Sequence, residues 1–223
     1  MKIAVVVPML NEREALPALL EHLLMLKRQC ADILLVDGGS LDGSAAFARA
    51  LGFPVLDCVR GRARQMNAGA QATASDALLF LHADTRLPVQ GLEQVQAALA
   101  EGAVWGRFDV HIEGRSPWLR LVALLMNLRS HWSGIATGDQ AIFVRRAAFD
   151  AVGGFPDQPL MEDIELSKRL KRLAKPTCLR GPAVTSGRRW ETRGVWRTIV
   201  LMWRLRWAYW LGASAEALAE RYR

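Results

Sequence analysis

The sequence predicts an α/β protein with a doubly wound, mostly parallel sheet and a helical appendage at its C-terminal end. A chain of 223 residues, of which 51% are hydrophobic, is long enough to bury a sizeable core. Short apolar runs alternate with amphipathic stretches along the first hundred residues. This alternation is typical of a parallel sheet with right-handed crossovers. Beyond it, tryptophan and arginine become frequent and the alternation is lost.

The first half contains four predicted strands, each a short apolar run. They are expected at residues 2–8, 33–36, 54–57 and 78–81. Pro8 ends the first strand, because proline cannot donate a hydrogen bond to a neighbouring strand. Helices are expected at residues 11–26, 44–51, 65–73 and 88–100. Leucines that recur near a period of 3.6 residues give the first helix an apolar face.

The second half is less regular. Strands are expected at residues 104–112, 141–144 and 177–185, and helices at residues 160–173 and 195–211. They are separated by an apolar stretch at 118–128, a loop at 133–140 and a polar link at 186–193. We therefore predict one domain over residues 1–190, with halves at 1–100 and 101–190, followed by C-terminal helices over 191–223.

Charge and cysteine content restrict the partners and the compartment. The net charge is +7, and residues 168–223 alone hold 14 basic and 3 acidic residues, which suits an anionic partner. Cys30, Cys58 and Cys178 show no paired spacing, as expected in a reducing compartment. No apolar run resembles a signal peptide or a membrane span. We expect a cytoplasmic protein, and no nucleic-acid partner because no RNA-binding motif accompanies the charge.

Polar side chains follow three of the predicted strands. Asn11 and Glu12 follow the first, Asp37 the second and Asp84 the fourth. Ligands of parallel sheets bind outside the carboxyl ends of the strands, so these groups are expected to converge. Taken singly, Asp84 is better explained as a helix cap and Asp37 as a turn residue. Acidic groups held together require a cation or a ligand between them.

Arginines at positions 60, 62 and 64 follow the third predicted strand and add positive charge to the same edge. Carboxylates that hold a divalent ion, together with arginines that neutralise phosphates, suit a nucleotide diphosphate. The phosphate-binding patterns GxxxxGK[ST] and GxGxxG are absent from the sequence. The expected ligand is therefore a nucleotide diphosphate bound with a metal and without either of these glycine-rich loops.

Several short segments, in this order and spacing, resemble the motifs of family 2 glycosyltransferases. They are VVVPMLNE (5–12), LVDGGSLDGS (35–44), NAG (67–69), LFLHAD (79–84), GDQ (138–140), MEDIEL (161–166) and RRW (188–190). Residues 61–67 and 82–88 are most similar to a small bacterial subgroup of that family, associated with neighbouring radical-SAM and selenodomain genes. The resemblance extends from residue 3 to about residue 190.

The resemblance implies a GT-A fold, which is a Rossmann-like sheet, and inverting transfer from a nucleotide diphosphate sugar to a hydroxyl acceptor. The first half would bind the donor and the second half the acceptor. Nucleotide contacts are expected from Pro8, Leu10, Glu12, Asp37, Arg62, Arg64, Asn67, His82 and Ala83. Asp84 is expected to bind Mg²⁺ or Mn²⁺, and Asp163 is expected to act as the catalytic base beside Glu162. Arg188 and Arg189 are expected to contact the diphosphate. The acceptor is expected to contact Gly138, Asp139, Gln140 and Trp190.

One position departs from the family pattern. His82 stands where the family carries the first carboxylate of an Asp-x-Asp motif. Histidine can hydrogen-bond a ribose but brings no negative charge, so metal binding would depend on Asp84. This departure motivates an alternative, a catalytically impaired module that binds sugar nucleotides or serves as a membrane-associated scaffold. Asp163 also has a structural alternative, because acidic residues stabilise the first turn of a helix.

The last predicted helix interleaves tryptophans with arginines. Trp196, Trp203, Trp207 and Trp210 fall on one helical face, and Arg197, Arg204 and Arg206 lie between them. Two interpretations remain open from the sequence. In the first, residues 195–211 contact the inner surface of an anionic membrane peripherally. In the second, the tryptophan face packs on the rest of the chain or on a homodimer partner.

Overall fold

A computed structural model describes residues 1–29 and 31–222, and Cys30 and Arg223 lie outside the described residues. The strands are β1 (Ile3–Met9), β2 (Asp32–Asp37), β3 (Val55–Asp57), β4 (Ala77–Phe80), β5 (Thr85–Arg86), β6 (Trp105–Glu113), β7 (Ile142–Arg145) and β8 (Thr177–Ser186). The helices are α1 (Leu16–Arg28), α2 (Ser44–Ala50), α3 (Arg62–Gln71), α4 (Gly91–Ala100), α5 (Trp118–Ser133), α6 (Arg146–Ala151), α7 (Glu162–Leu170), α8 (Arg188–Arg193), α9 (Val195–Trp210) and α10 (Ala215–Tyr222). A 3₁₀ turn spans Gly138–Gln140.

The eight strands form one sheet in the order β3-β2-β1-β4-β7-β6-β8-β5. The first four strands of that order are parallel to one another, and β6 is parallel to β8. β7 runs antiparallel to both β4 and β6, and β5 runs antiparallel to β8. The observed sheet confirms the predicted α/β class with a mostly parallel sheet.

Two hydrophobic cores cover the two faces of the sheet. Val5 and Val7 of β1 point into a core shared with α1, α2 and α4, whereas Ala4 and Val6 point into a core shared with α3, α6 and α7. Successive strand side chains point to opposite faces, so a run that is apolar throughout must be covered on both sides. This doubly wound packing holds the carboxyl ends of β1 and β4 side by side.

Some predicted boundaries were wrong. The first helix begins at Leu16 rather than at Asn11, which has a positive φ of 54°. Helix α3 begins at Arg62, three residues before the predicted start, so Arg62 belongs to its first turn. The expected polar link contains α8, whose Trp190 packs on β6 and α5. The short elements β5, α6 and α10 were not predicted.

The C-terminal helices pack on the rest of the chain. Trp190 and Ile199 join a cluster formed by β6 and α5, whereas Leu205 and Leu218 join a cluster with Ile164 of α7. These contacts attach α8 and α9 to β6 and α5, and attach α9 and α10 to α7. Among the described residues, no helix is both long enough and apolar enough to cross a bilayer.

Candidate functional site

A cavity of about 430 Å³ opens at the carboxyl ends of β1 and β4. Its wall continues through the 3₁₀ turn, the N-terminus of α7, the end of β8, and α8, α9 and α10. Of the residues expected at the site, the wall contains Pro8, Glu12, Arg62, His82, Ala83, Asp84, Gly138, Asp139, Glu162, Asp163, Arg188, Arg189 and Trp190. The fold thus brings thirteen of the eighteen expected site residues to one cavity.

His82, Asp84 and Asp139 form a group that could hold a metal ion, since one ligand atom of each lies within 4.8 Å of the others. Nδ1 of His82 lies 3.2 Å from Oδ1 of Asp139. An ionised carboxylate only accepts hydrogen bonds, so this contact assigns the proton to Nδ1. The second carboxylate of the group therefore comes from the 3₁₀ turn, 57 residues away from the histidine.

Opposing influences act on the pKa of Asp139. Burial raises this pKa. The hydrogen bond from His82 and the positive charges of Arg62 and Arg189 lower it by more than burial raises it, so the net shift of the pKa is downward. Asp139 is therefore ionised at neutral pH. An ionised carboxylate beside the exposed Asp84 is the charge arrangement that a divalent cation requires.

Gly138 determines how closely the 3₁₀ turn approaches the histidine. A Cβ atom at this position would lie 2.1 Å from Cε1 and from Nε2 of His82, closer than real Cβ contacts. The backbone N–H of Gly138 also donates a 2.9 Å hydrogen bond to Oδ2 of Asp163. This glycine thus connects the possible metal group to the carboxylate at the start of α7.

Helix α7 begins with two acidic residues in different environments. Met161, just before the helix, has a positive φ of 65°, a conformation that costs energy in a residue with a side chain. Glu162 is 3% exposed and pairs with Arg62, whose Nη1 lies 3.4 Å from Oε1. Burial and then the charge of Asp163 raise the pKa of Glu162. Asp163 is the carboxylate of this pair without an ion-pair partner within 4 Å among the described residues.

The arginine pair after β8 lines the same cavity as the start of α7. Nη2 of Arg188 is 3.8 Å from Oε2 of Glu12. Burial, followed by the charge of Asp84, raises the pKa of Glu12, and Arg188 opposes both effects. Arg189 hydrogen-bonds the hydroxyl of Tyr222. Positive charge therefore lies beside the two carboxylates that follow β1 and β4.

Five of the expected residues do not line the cavity: Leu10, Asp37, Arg64, Asn67 and Gln140. Asp37 is 3% exposed, and its carboxylate accepts backbone N–H groups of Gly39 at 3.0 Å and Ser40 at 2.8 Å. These hydrogen bonds are typical of an aspartate that stabilises a turn, which is the alternative role expected for Asp37. Its contact with a nucleotide base stays a prediction.

The other polar residues of this group hold neighbouring segments together. Arg64 forms a 2.7 Å ion pair with Asp157 at the surface. The side chain of Asn67 donates to the carbonyl of Phe155 at 2.8 Å and accepts its N–H at 3.0 Å. Gln140 is buried, and its side chain caps the 3₁₀ turn. These contacts are structural, and nothing in them tests a role in binding.

Sequence reasoning missed the cavity residues supplied by α9 and α10, namely Met202, Arg206 and Tyr222. From the sequence alone, the interleaved tryptophans and arginines are assigned to one surface. With 3.6 residues per helical turn, Arg206 falls on one flank of the tryptophan face, and Arg197 and Arg204 fall on the opposite flank. That angular difference was the available signal, and the structure shows Arg206 directed into the cavity.

Comparison with known proteins agrees with this geometry. Residues 4–155, about two thirds of the chain, match the glycosyl transferase family 2. The undecaprenyl-phosphate 4-deoxy-4-formamido-L-arabinose transferase of Serratia proteamaculans (strain 568) is 32% identical over 112 residues, which are 45% of this chain and 34% of that protein. The chain thus spans about a third of that relative's length.

Solved structures with the same fold come from several organisms. Residues 1–349 of TarS from S. aureus superpose with a TM-score of 0.67 at 15% identity, over 84% of this chain and 61% of that chain. The mannosyltransferase PcManGT from Pyrobaculum calidifontis gives 0.68 at 19% identity, over 93% and 61% of the two chains. Glucosyl-3-phosphoglycerate synthase from Mycobacterium tuberculosis gives 0.61 at 18% identity, over 82% and 70%.

At these identities the structural likeness shows the fold alone, and it confirms the expected GT-A architecture. The family match assigns the chain to a family as well as to a fold, because it covers most of the sheet and the residues that follow β1 and β4. The chain therefore belongs to glycosyl transferase family 2, a family of transferase enzymes.

Proposed function

We propose that this protein transfers a sugar, with inversion, from a nucleotide diphosphate sugar to a hydroxyl acceptor, with help from a divalent metal. One observation carries the proposal. A single cavity contains a group able to hold a metal, a carboxylate without an ion-pair partner among the described residues, and arginines for a diphosphate. Family membership and the GT-A fold support the reaction class.

The donor and the metal are proposed from chemistry and from relatives. The TarS and PcManGT structures contain UDP-GlcNAc and GDP-Man with Mn²⁺, respectively. In this chain, His82, Asp84 and Asp139 would hold Mg²⁺ or Mn²⁺, because one ligand atom of each lies within 4.8 Å of the others and two of the three are carboxylate oxygens. When bound, the metal would neutralise the departing diphosphate.

The protein's own residues would then perform three tasks. Arg188 and Arg189, beside Glu12, would add positive charge to the diphosphate. As the acceptor oxygen attacks the anomeric carbon, the bond from that carbon to the diphosphate oxygen breaks and the hydroxyl proton passes to Asp163. Attack on the face opposite the leaving group inverts the configuration. Glu162 suits this role less well, because it is paired with Arg62.

Two asparagine variants test the assignment. Asp84→Asn is expected to abolish metal-dependent binding of UDP or GDP and to lower donor hydrolysis at least about a hundredfold. Asp163→Asn is expected to leave that binding intact while slowing turnover by about 10²- to 10⁴-fold. Asp57→Asn, at an exposed position beside Arg49, is the matched control. Wild-type activity in both site variants would show that the assignment of roles is wrong. A wild-type protein that binds UDP or GDP but shows neither transfer nor donor hydrolysis would support the catalytically impaired module instead.

We also propose a peripheral contact between α9 and an anionic membrane at its cytoplasmic face. Trp196, Trp203, Trp207 and Trp210 are 57%, 72%, 63% and 72% exposed, so the described chain does not cover this face. The exposed tryptophans lie beside the exposed Arg197, and such pairs favour membrane interfaces. Membership of the radical-SAM-associated bacterial subgroup is proposed on the residues quoted above.

Co-sedimentation with vesicles separates this contact from a homodimer. Binding to vesicles with phosphatidylglycerol, lost in a Trp203→Ser/Trp207→Ser variant, is expected. Dimers by light scattering that dissociate in the same variant, without vesicle binding, would instead indicate that a second copy covers the face. The Glu216→Gln variant, exposed on α10, serves as a control for altered surface composition.

A further inference from the structure

Two arginines beside the cavity have no role in the proposed mechanism. Arg129 of α5 and Arg206 of α9 approach each other and Asp163 closely enough for their charges to interact. Within the described part of the chain, Nε and Nη2 of Arg129 and Nε of Arg206 are buried and have no hydrogen-bond partner. Arg206 itself lines the cavity, whereas Arg129 is not part of the cavity wall.

Such an arrangement is costly for the protein alone. Burial and the charge of Arg206 lower the pKa of Arg129 to about 10, and burial lowers that of Arg206. Arg107 adds further repulsion, although it is itself paired with Asp109. A buried guanidinium without a hydrogen-bonded partner is destabilising, and a bound anion would relieve both the repulsion and the missing hydrogen bonds.

We propose that Arg129 and Arg206 bind a phosphate group carried by the acceptor, so that the substrate class of this transferase is a phosphorylated hydroxyl compound. Arginine donors match the geometry of phosphate oxygens, so Arg206 can contact a phosphate in the cavity directly, and the charge of the neighbouring Arg129 adds to the attraction. This inference rests on the proposed function, since it assigns the acceptor to the side of the cavity where Asp163 lies.

The position of the pair separates it from the donor's diphosphate. The charge of Asp163, the proposed base, bears on both arginines, and that of Asp139 bears on Arg206 alone. The pair Arg188 and Glu12 lies instead beside Asp84, where the donor's diphosphate is proposed to bind. A phosphate at Arg129 and Arg206 would therefore hold the acceptor on the Asp163 side, with its hydroxyl between the base and the donor sugar.

The test uses inorganic phosphate as the probe at constant ionic strength. Wild-type protein should show saturable binding by calorimetry and a melting temperature that rises with phosphate concentration. Arg129→Met and Arg206→Met should each weaken phosphate binding at least about tenfold, whereas binding of UDP or GDP with Mn²⁺ should change less than about twofold. Arg120→Met and Arg204→Met, exposed on the same two helices, are the matched controls.

Stability provides a second readout that a purely structural role would not give. Removing an unpaired buried charge should leave the unliganded melting temperature of each variant equal to or above that of the wild type. Arg206→Lys, which keeps the charge but not the planar donors, should retain weakened phosphate binding and serves if a methionine variant fails to fold. Competition by glycerol 3-phosphate or by phosphatidic acid vesicles would identify a soluble or a lipid source of the phosphate.

Two results would overturn the inference. One is the absence of saturable phosphate binding in wild-type protein that still binds UDP or GDP with Mn²⁺. The other is equal phosphate binding in the wild type and in the Arg206 variants. Failure of nucleotide binding in the wild type would count against the proposed function instead, because inorganic phosphate binding does not depend on the donor site.

Discussion

Replacing Gly138 by alanine tests whether the approach of the 3₁₀ turn to His82 organises the site. The added Cβ would lie 2.1 Å from two ring atoms, whereas ordinary contacts begin near 3.4 Å, so the ring or the turn must move by more than 1 Å. Overpacking of this kind costs about 1–3 kcal/mol of folding free energy. A displacement of 1 Å at a reacting centre reduces turnover by about 10²-fold.

The assay is a double-mutant cycle of Gly138→Ala and His82→Ala. Melting temperature, metal-dependent binding of UDP or GDP, and donor hydrolysis are measured for each variant. In the His82→Ala background there is no ring to displace, so we expect Gly138→Ala to cost less than about 1 kcal/mol there and to add little loss of activity. Additive effects of the two substitutions would refute the reasoning, because they would show that the glycine acts independently of the histidine.

Three further predictions concern single residues. Burial and then the charge of Arg86 lower the pKa of His22 to about 4. Between about pH 6.5 and pH 4 the unfolded chain therefore binds a proton at His22 that the folded chain does not bind, so the free energy of unfolding falls as the pH drops. At pH 4 this loss is about 3 kcal/mol, and His22→Gln should abolish it in urea titrations across that range. Gly69→Ala should lower stability by about 1–3 kcal/mol without changing metal affinity, because its Cβ would lie 2.4 Å from Cγ1 of Val6; an unchanged unfolding midpoint would contradict this. Asp139→Asn should weaken Mn²⁺ affinity about tenfold or more, and calorimetry showing unchanged affinity would remove this carboxylate from the metal group.

Much of the donor side could be predicted from sequence because it depends on neighbours along the chain. Apolar runs that end at Pro8 and just before His82 define buried parallel strands, and parallel strands bring their carboxyl ends to one edge. The polar residues that follow those strands, Glu12 and Asp84, therefore had to converge. The sequence pattern did not distinguish Asp37 as a ligand from Asp37 as a turn residue, since both use the same residue type in the same place.

The amino-acid sequence by itself determined the α/β class, the edge of the sheet at which a site could form, and the basic character of the C-terminal end. Only the tertiary structure decided that Asp139 supplies a carboxylate to His82, and that Gly138 must lack a side chain for this to happen. It also decided that Arg206 faces the cavity while the tryptophans of α9 face outward. These features depend on how distant segments pack and on which flank of a helix is covered, and neither is encoded in local spacing.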